Sequence, residues 1–299
     1  MKIMAPLNPL YSVRRLVDSG ADGFYFGYIP ECWINTYGNG YFINRRGHVK
    51  AANFTDDNIE FIIGECQDLD IPLYCTFNNH QYTQDELNLL YKTISYLKSK
   101  KINGVIASDT NILRYCRHIG VTTILSTCAT NYNKFSNKFF KELGVNRIIF
   151  PRDITVDEMA SIIQDIPDLE WEAFIYNSAC RFSESVCLSN HGLYGNICKR
   201  LRLSAQISIK NGCKTPIVDC YYNKPIGSCG LCSIYRMNKI GITWLKIVER
   251  TLPYEAIVSS CKKVRSAIQL MQNVRSEEQF NSIIQRQESC TPGVLCYYK

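Results

Sequence analysis

Short runs of β-branched, aliphatic and aromatic residues recur along this chain. Each is bounded by Gly, Pro, Asn or Asp and leads into a stretch with helical periodicity. Eight such runs are predicted as strands: Lys2 to Ala5, Gly23 to Tyr28, Pro72 to Asn78, Gly104 to Ser108, Thr122 to Thr127, Arg147 to Pro151, Glu170 to Tyr176 and Ile242 to Ile247. Helix starts between them carry side-chain caps: Thr83 with Glu86, Thr155 with Glu158, and Asp109 opening a helix that ends near Gly120. Regular alternation predicts parallel pairing, because consecutive parallel strands need a crossover and the crossover is normally a helix. The expected fold is therefore α/β, a (β/α)8 TIM-like barrel, with a doubly wound open sheet as the alternative that pattern alone leaves standing. Two features favour closure: the 299 residues are near the ~250 usual for the barrel, and no Gly-rich dinucleotide fingerprint follows the first strand. The expected organisation is one domain over 1–275, with a cysteine-rich insertion at 177–235 at the ends of the last two strands, and a C-terminal tail at 276–299.

A barrel gathers its active site at the C-terminal ends of its strands. Those ends are polar here. Asn78, Asn79 and His80 follow the third run, Ser108 and Asp109 the fourth, and Ser126 to Asn131 the fifth. Arg152 and Asp153 follow the sixth, Asn177 the seventh, and Glu249 with Arg250 the eighth. Arg152 and Arg250 suit a bidentate clamp on a carboxylate, while Asn78, His80 and Ser126 suit hydrogen bonds to a ligand hydroxyl. The structural alternative pairs the two arginines with neighbouring acids such as Asp153 and Glu249. Nothing in the pattern singles out a catalytic residue.

Composition narrows the class. A chain that is 46% hydrophobic and 12% aromatic builds a substantial core, which excludes a disordered or fibrous protein. No apolar run approaches the ~18 residues of a membrane span, and the opening lacks the pattern of a secretory signal; the expected location is the cytoplasm. The net charge of +7 accommodates an anionic substrate or nucleic acid without requiring either.

Fifteen cysteines are the unusual feature, since reducing cytosol disfavours structural disulfides and clustered thiols there point to metal or redox chemistry. Cys32, Cys66, Cys75, Cys116, Cys128 and Cys261 are scattered singly and read as small buried hydrophobes. Cys180, Cys187, Cys198, Cys213, Cys220, Cys229 and Cys232 instead crowd into one segment. Cys180 and Cys187 follow the seventh run and Cys229 and Cys232 precede the eighth, so two neighbouring loops bring thiolates toward one edge. Such ligands suit an iron–sulfur cluster or zinc, although a single Cys-x2-Cys knuckle is not the paired arrangement usual in structural zinc. A protease reading finds only four histidines and no HExxH, leaving at most a Cys187 and His191 pair.

The segment Glu172, Phe174, Ser178, Cys180, Cys187 resembles the signature of the collagenase-like peptidase U32 family. The similarity extends over most of the chain: the opening through Gly27, Asn53 to Thr55, Thr76 to Asn78, Leu125 to Thr127, Asn133, Glu142 to Val145, Arg152, Leu231-Cys232, Gly241-Ile242, Leu245 to Ile247 and Arg250. That resemblance implies a 4Fe-4S cluster on Cys180, Cys187, Cys198 and Cys232, with zinc as the alternative metal. It implies a part in oxygen-independent hydroxylation of RNA or of a small aromatic or quinone precursor, in some members with prephenate as hydroxyl source. It also implies a heterodimer with a U32 paralogue. A U32-type peptidase, or a non-catalytic iron–sulfur protein that binds nucleic acid or a partner, are the alternatives. The chain departs from the family pattern at Asn177, where Gly is usual, and at Glu184-Ser185, where Ser-Gly is usual. It adds Cys213, Cys220 and Cys229, read as non-ligating loop thiols with an alternative fourth ligand or a second metal site as the other reading, and Cys290 and Cys296, which the family pattern does not require.

Overall fold

The computed structural model describes residues 1–48, 50, 52–177, 183–187, 191–192, 195–196, 229–287 and 296–298. The strands are β1 (Lys2–Pro6), β2 (Gly23–Tyr28), β3 (Asn53–Phe54), β4 (Leu73–Phe77), β5 (Gly104–Ala107), β6 (Thr123–Leu125), β7 (Arg147–Ile149), β8 (Glu170–Tyr176), β9 (His191–Gly192), β10 (Gly195–Asn196) and β11 (Trp244–Ile247). Helices α1 (Val13–Asp18), α2 (Glu31–Tyr37), α3 (Ile59–Asp68), α4 (Gln84–Ser99), α5 (Thr110–Ile119), α6 (Lys134–Glu142) and α7 (Val156–Asp165) alternate with the first eight strands. After them come α8 (Ile234–Ile240), α9 (Tyr254–Asn273) and α10 (Glu277–Gln287).

The eight expected runs become β1, β2, β4 to β8 and β11, joined in the order β1-β11-β8-β7-β6-β5-β4-β2. The ring closes because β1 also pairs in parallel with β2, Met4 opposite Gly23 and Pro6 opposite Tyr25. An open sheet would leave β1 with one neighbour, so the fold is the closed barrel. The caps act as expected: Thr83 with Glu86 and Thr155 with Glu158 make reciprocal capping boxes, and Gly120 ends α5 at φ 70°.

Alternate strand residues divide the core in two. Phe24, Phe26, Ile148, Leu245 and Ile247 are buried under the helices, against stripes such as Leu87, Leu90, Ile94 and Leu97 of α4. The intervening residues, including Tyr25, Tyr74, Arg147, Glu172 and Lys246, fill the barrel interior. Strand β3 escaped the sequence pattern because it is two residues long; it pairs with the end of β2, Gly27 opposite Asn53, and so carries Asn53 to the rim.

The segment set off as a tail is packed against the fold: α10 buries Phe280 and Ile284, and the backbone of Cys296 pairs with that of Cys229, which itself pairs with the backbone of Tyr176 at the end of β8. Of the scattered cysteines, Cys66, Cys75, Cys116, Cys128 and Cys261 are buried as expected. Cys32 is exposed, a correction explained by α2, whose one buried residue is Trp33. No helix among the described residues is long and apolar enough to cross a membrane.

Candidate functional site

The barrel interior holds a charge network. Glu172 on β8 accepts from Lys246 Nζ of β11 at 2.8 Å and from Arg147 Nη1 of β7 at 3.2 Å. Arg147 Nε also donates to Glu170 at 2.9 Å, and its guanidinium stacks on Trp244 4.0 Å from the ring centre. The Lys246 ammonium lies 4.0 Å from the Tyr25 ring centre. Burial pushes the Glu172 carboxyl up, but Lys246 and Arg147 outweigh it and hold it below the usual range. Every buried charge here has an opposite charge in contact.

Toward the C-terminal ends the balance changes. Arg250 follows β11, its backbone turned by Glu249 at φ 77° and its carbonyl held by Asn8 Nδ2 at 2.8 Å. The guanidinium lies across Gly27, where an added Cβ would stand 1.8 Å from Nη1; only glycine leaves that room. It is buried, and it donates to Asn44 Oδ1 at 3.1 Å, Asn53 Oδ1 at 3.4 Å and the Ala52 carbonyl at 3.4 Å. Those acceptors are all neutral. Its electrostatic neighbours are Arg46, Tyr25 and Cys75, and burial with the charge of Arg46 brings it down to about 10. Arg250 therefore stays cationic at neutral pH, with no carboxylate partner among the described residues.

Arg46 is half-buried and faces Glu249, Tyr25 and Tyr11. Asn53 binds the loop that carries it, donating to the Arg46 and His48 carbonyls at 2.8 Å each. Burial pushes the Tyr25 hydroxyl up against the pull of Arg250, Arg46 and Arg152, so the phenol keeps its proton as a donor. Two arginines and a phenol thus converge here, and Arg250 is a buried charge with no carboxylate in contact among the described residues, an arrangement whose chemistry suits an anion.

The predicted site residues fall into three places. Asn78 and Ser126 meet at 3.5 Å; Asn78 also accepts from the Arg45 amide at 3.3 Å and Ser126 from the Cys128 amide at 3.4 Å. His80 Nε2 donates to the Cys187 carbonyl at 2.9 Å, and burial lowers its pKa. Arg152 pairs with Glu184 rather than Asp153 and lies 3.6 Å from the Phe174 ring centre. Arg250 pairs with neutral groups rather than Glu249. Sequence reasoning missed Arg46, Asn44, Asn53 and Tyr25, and also the Tyr297–Tyr298 pair, which reaches the rim where Tyr298 Oη donates to the Phe174 carbonyl at 3.0 Å. Asn177, where the family pattern has Gly, sits at φ 68°, a conformation Asn tolerates best after Gly.

Of the expected cluster ligands, Cys180 and Cys198 lie outside the described residues, as do Cys213, Cys220 and Cys290. Cys187 is buried and hangs from His80 beyond β4. Cys232 sits in the turn Leu231–Ser233, directly after Gly230, whose amide donates to the Ile175 carbonyl of β8 at 2.8 Å. Among the described residues, no three His, Cys, Asp or Glu side chains come together as a metal site.

Comparison with known proteins gives a family. The model of peptidase family U32 matches residues 9–292. A tRNA hydroxylation protein P of Haemophilus influenzae is 26% identical over 67% of this chain and 40% of its own length. An uncharacterized protease of Methanocaldococcus jannaschii is 24% identical over 65% of this chain and 45% of its own. This chain thus spans less than half of either relative. Among solved structures, native KDPGal superposes with a TM-score of 0.52 at 9% identity, over 92% of this chain and 97% of that one, a likeness of fold alone.

Proposed function

We propose, on the premise that this chain belongs to peptidase family U32, that it binds a small carboxylate at Arg250, Arg46 and Tyr25 and serves in hydroxylating RNA without molecular oxygen. The observation that carries the anion site is Arg250, a buried guanidinium held in place by two amides and a carbonyl. The RNA assignment is supported by relatives named for tRNA hydroxylation. In this reading Arg250 takes the carboxylate, Arg46 offsets its second oxygen, and the Tyr25 hydroxyl donates to it. Strand β2 fixes Tyr25, the Asn44, Asn53 and Ala52 contacts fix Arg250, and Asn53 pins the loop that carries Arg46, so the ligand is oriented at little entropic cost. Prephenate, a dicarboxylate, is the candidate hydroxyl source.

Titration with prephenate tests the site: Arg250→Met is expected to weaken binding about 100-fold, the loss of a charge-assisted pair worth ~3 kcal/mol. Mass spectrometry of tRNA nucleosides tests the role, in a host that lacks its own tRNA hydroxylation and is grown without oxygen. Wild-type chain is expected to restore the modification and Arg250→Met to fail. Equal restoration by both, or by neither, overturns the assignment.

The 4Fe-4S cluster on Cys180, Cys187, Cys198 and Cys232 belongs to the same proposal, supported by the sequence resemblance at those positions. Protein purified under nitrogen is expected to carry iron and acid-labile sulfide in equal amounts. Cys180→Ala and Cys232→Ala are each expected to lose both, and undiminished iron in the two variants refutes the set.

A further inference from the structure

The mouth contains a third guanidinium, and the chain has set its own carboxylate against it. Arg152 lies flat on Phe174, 3.6 Å from the ring centre, and is ion-paired with Glu184. Glu184 opens the short turn Glu184–Val186. That turn is strapped over the strand ends by side chains from two loops: Tyr132 hydrogen-bonds with Ser183 and with Ser185, and His80 Nε2 donates to the Cys187 carbonyl at 2.9 Å. Glu184 keeps 20% of its side-chain exposure while Glu172 keeps none, so a rotamer change frees it into solvent without breaking the strap. Arg152 follows β7 and lies over Phe174 of β8, and β8 pairs with β11, the strand that leads into Arg250, so both guanidinium groups stand at the C-terminal end of neighbouring strands.

We propose that Glu184 is an internal competitor on Arg152 and sets the specificity of the mouth: a ligand with one carboxylate binds beside it, and a ligand with two has to displace it. This rests on the Arg250 reading above, since the first carboxylate sits there. A tethered carboxylate competes at an effective concentration of order millimolar, and it lowers the apparent affinity for dicarboxylates selectively.

The experiment is isothermal titration of the full chain and Glu184→Gln with succinate, and with butyrate as the one-carboxylate control. Glu184→Gln is expected to bind succinate about tenfold more tightly and butyrate within twofold of wild type. A gain of affinity is not produced by damaged folding, and Glu184→Ala is expected to show the same gain. Succinate binding that is unchanged or weaker in both variants, while wild type still binds butyrate, overturns the competitor and leaves the Arg250 site standing. An equal gain for both anions also overturns it, because a general charge effect then suffices. Butyrate binding untouched by Arg250→Met overturns the Arg250 reading on which the competitor depends.

Discussion

Two sets of buried charges stand one above the other in this barrel, and they are built differently. In the interior, Glu172 touches both Lys246 and Arg147, and Arg147 reaches Glu170 as well. At the mouth, Arg250 is as deeply buried as Lys246, 4% exposed against 5%, yet it contacts amide and carbonyl oxygens only. Burying a charge costs several kcal/mol unless it is paired. The interior offsets that cost within the chain, whereas at the mouth no carboxylate among the described residues touches Arg250, and the proposed anion would offset the cost there. Internal charge balance, more than burial, separates scaffold from site.

The sharpest way to break this contrast is to remove one charge from each set. Glu172→Gln leaves Lys246 and Arg147 facing each other, and the expected loss is ~3–5 kcal/mol, the usual cost of stripping one partner from a buried pair. Arg250→Met removes a desolvated cation but orphans Asn44, Asn53 and the Ala52 carbonyl, which costs ~1–3 kcal/mol. The two effects oppose, so its stability is expected within ~1 kcal/mol of wild type while carboxylate binding is lost. Urea unfolding of both variants decides: equal destabilisation would make Arg250 a scaffold residue like Glu172.

The pH dependence of the same pair follows from the lowered Glu172 carboxyl. Below its ordinary value of 4.5 the unfolded chain takes up the proton first, so the stabilisation is complete above that pH and disappears as pH falls through the lower folded value. The stability gap between wild type and Glu172→Gln is expected to be flat from neutral pH down to the ordinary carboxyl value and to shrink in more acid solution. A gap that holds constant to the acid limit of folding would assign the stabilisation to shape rather than charge.

The sequence carried the scaffold better than the site. All eight barrel strands and the capping boxes at Thr83 and Thr155 were legible, because apolar runs and caps are local signals. Arg250 and Arg152 were legible as rim arginines, but they looked equivalent. What separates them is Glu184 on one and Asn44 with Asn53 on the other, brought in through loops with no periodicity. The signal for the interior network was present: Lys246 stands between Leu245 and Ile247 and Glu172 between Trp171 and Ala173, charges inside apolar runs that a barrel can bury only in pairs. Arg46 gave no such signal. It reaches the mouth because Asn53 of β3 pairs beside Gly27 of β2 and pins the Arg46 carbonyl, a long-range register invisible to local pattern. The C-terminal tyrosines were hidden for the same reason, their position fixed by backbone pairing of Cys296 with Cys229.

A third environment calibrates the other two and carries the smallest effect. Arg15 and Glu255 form a bidentate pair at 2.6 and 2.7 Å, with geometry as good as that of Glu172, but their side chains are 51% and 67% exposed. Water already solvates both partners, so the pair gains little by forming and either member loses little when left alone. Glu255→Ala is expected to cost under ~1 kcal/mol at low salt and less in ~1 M salt, where screening shortens the reach of charge to ~3 Å. The Glu172→Gln cost is expected to be the same in both solutions, because no counter-ion enters the barrel interior. If the two variants respond to salt alike, the interior is open to ions, and the difference between scaffold charges and site charges lies in solvent access instead of internal pairing.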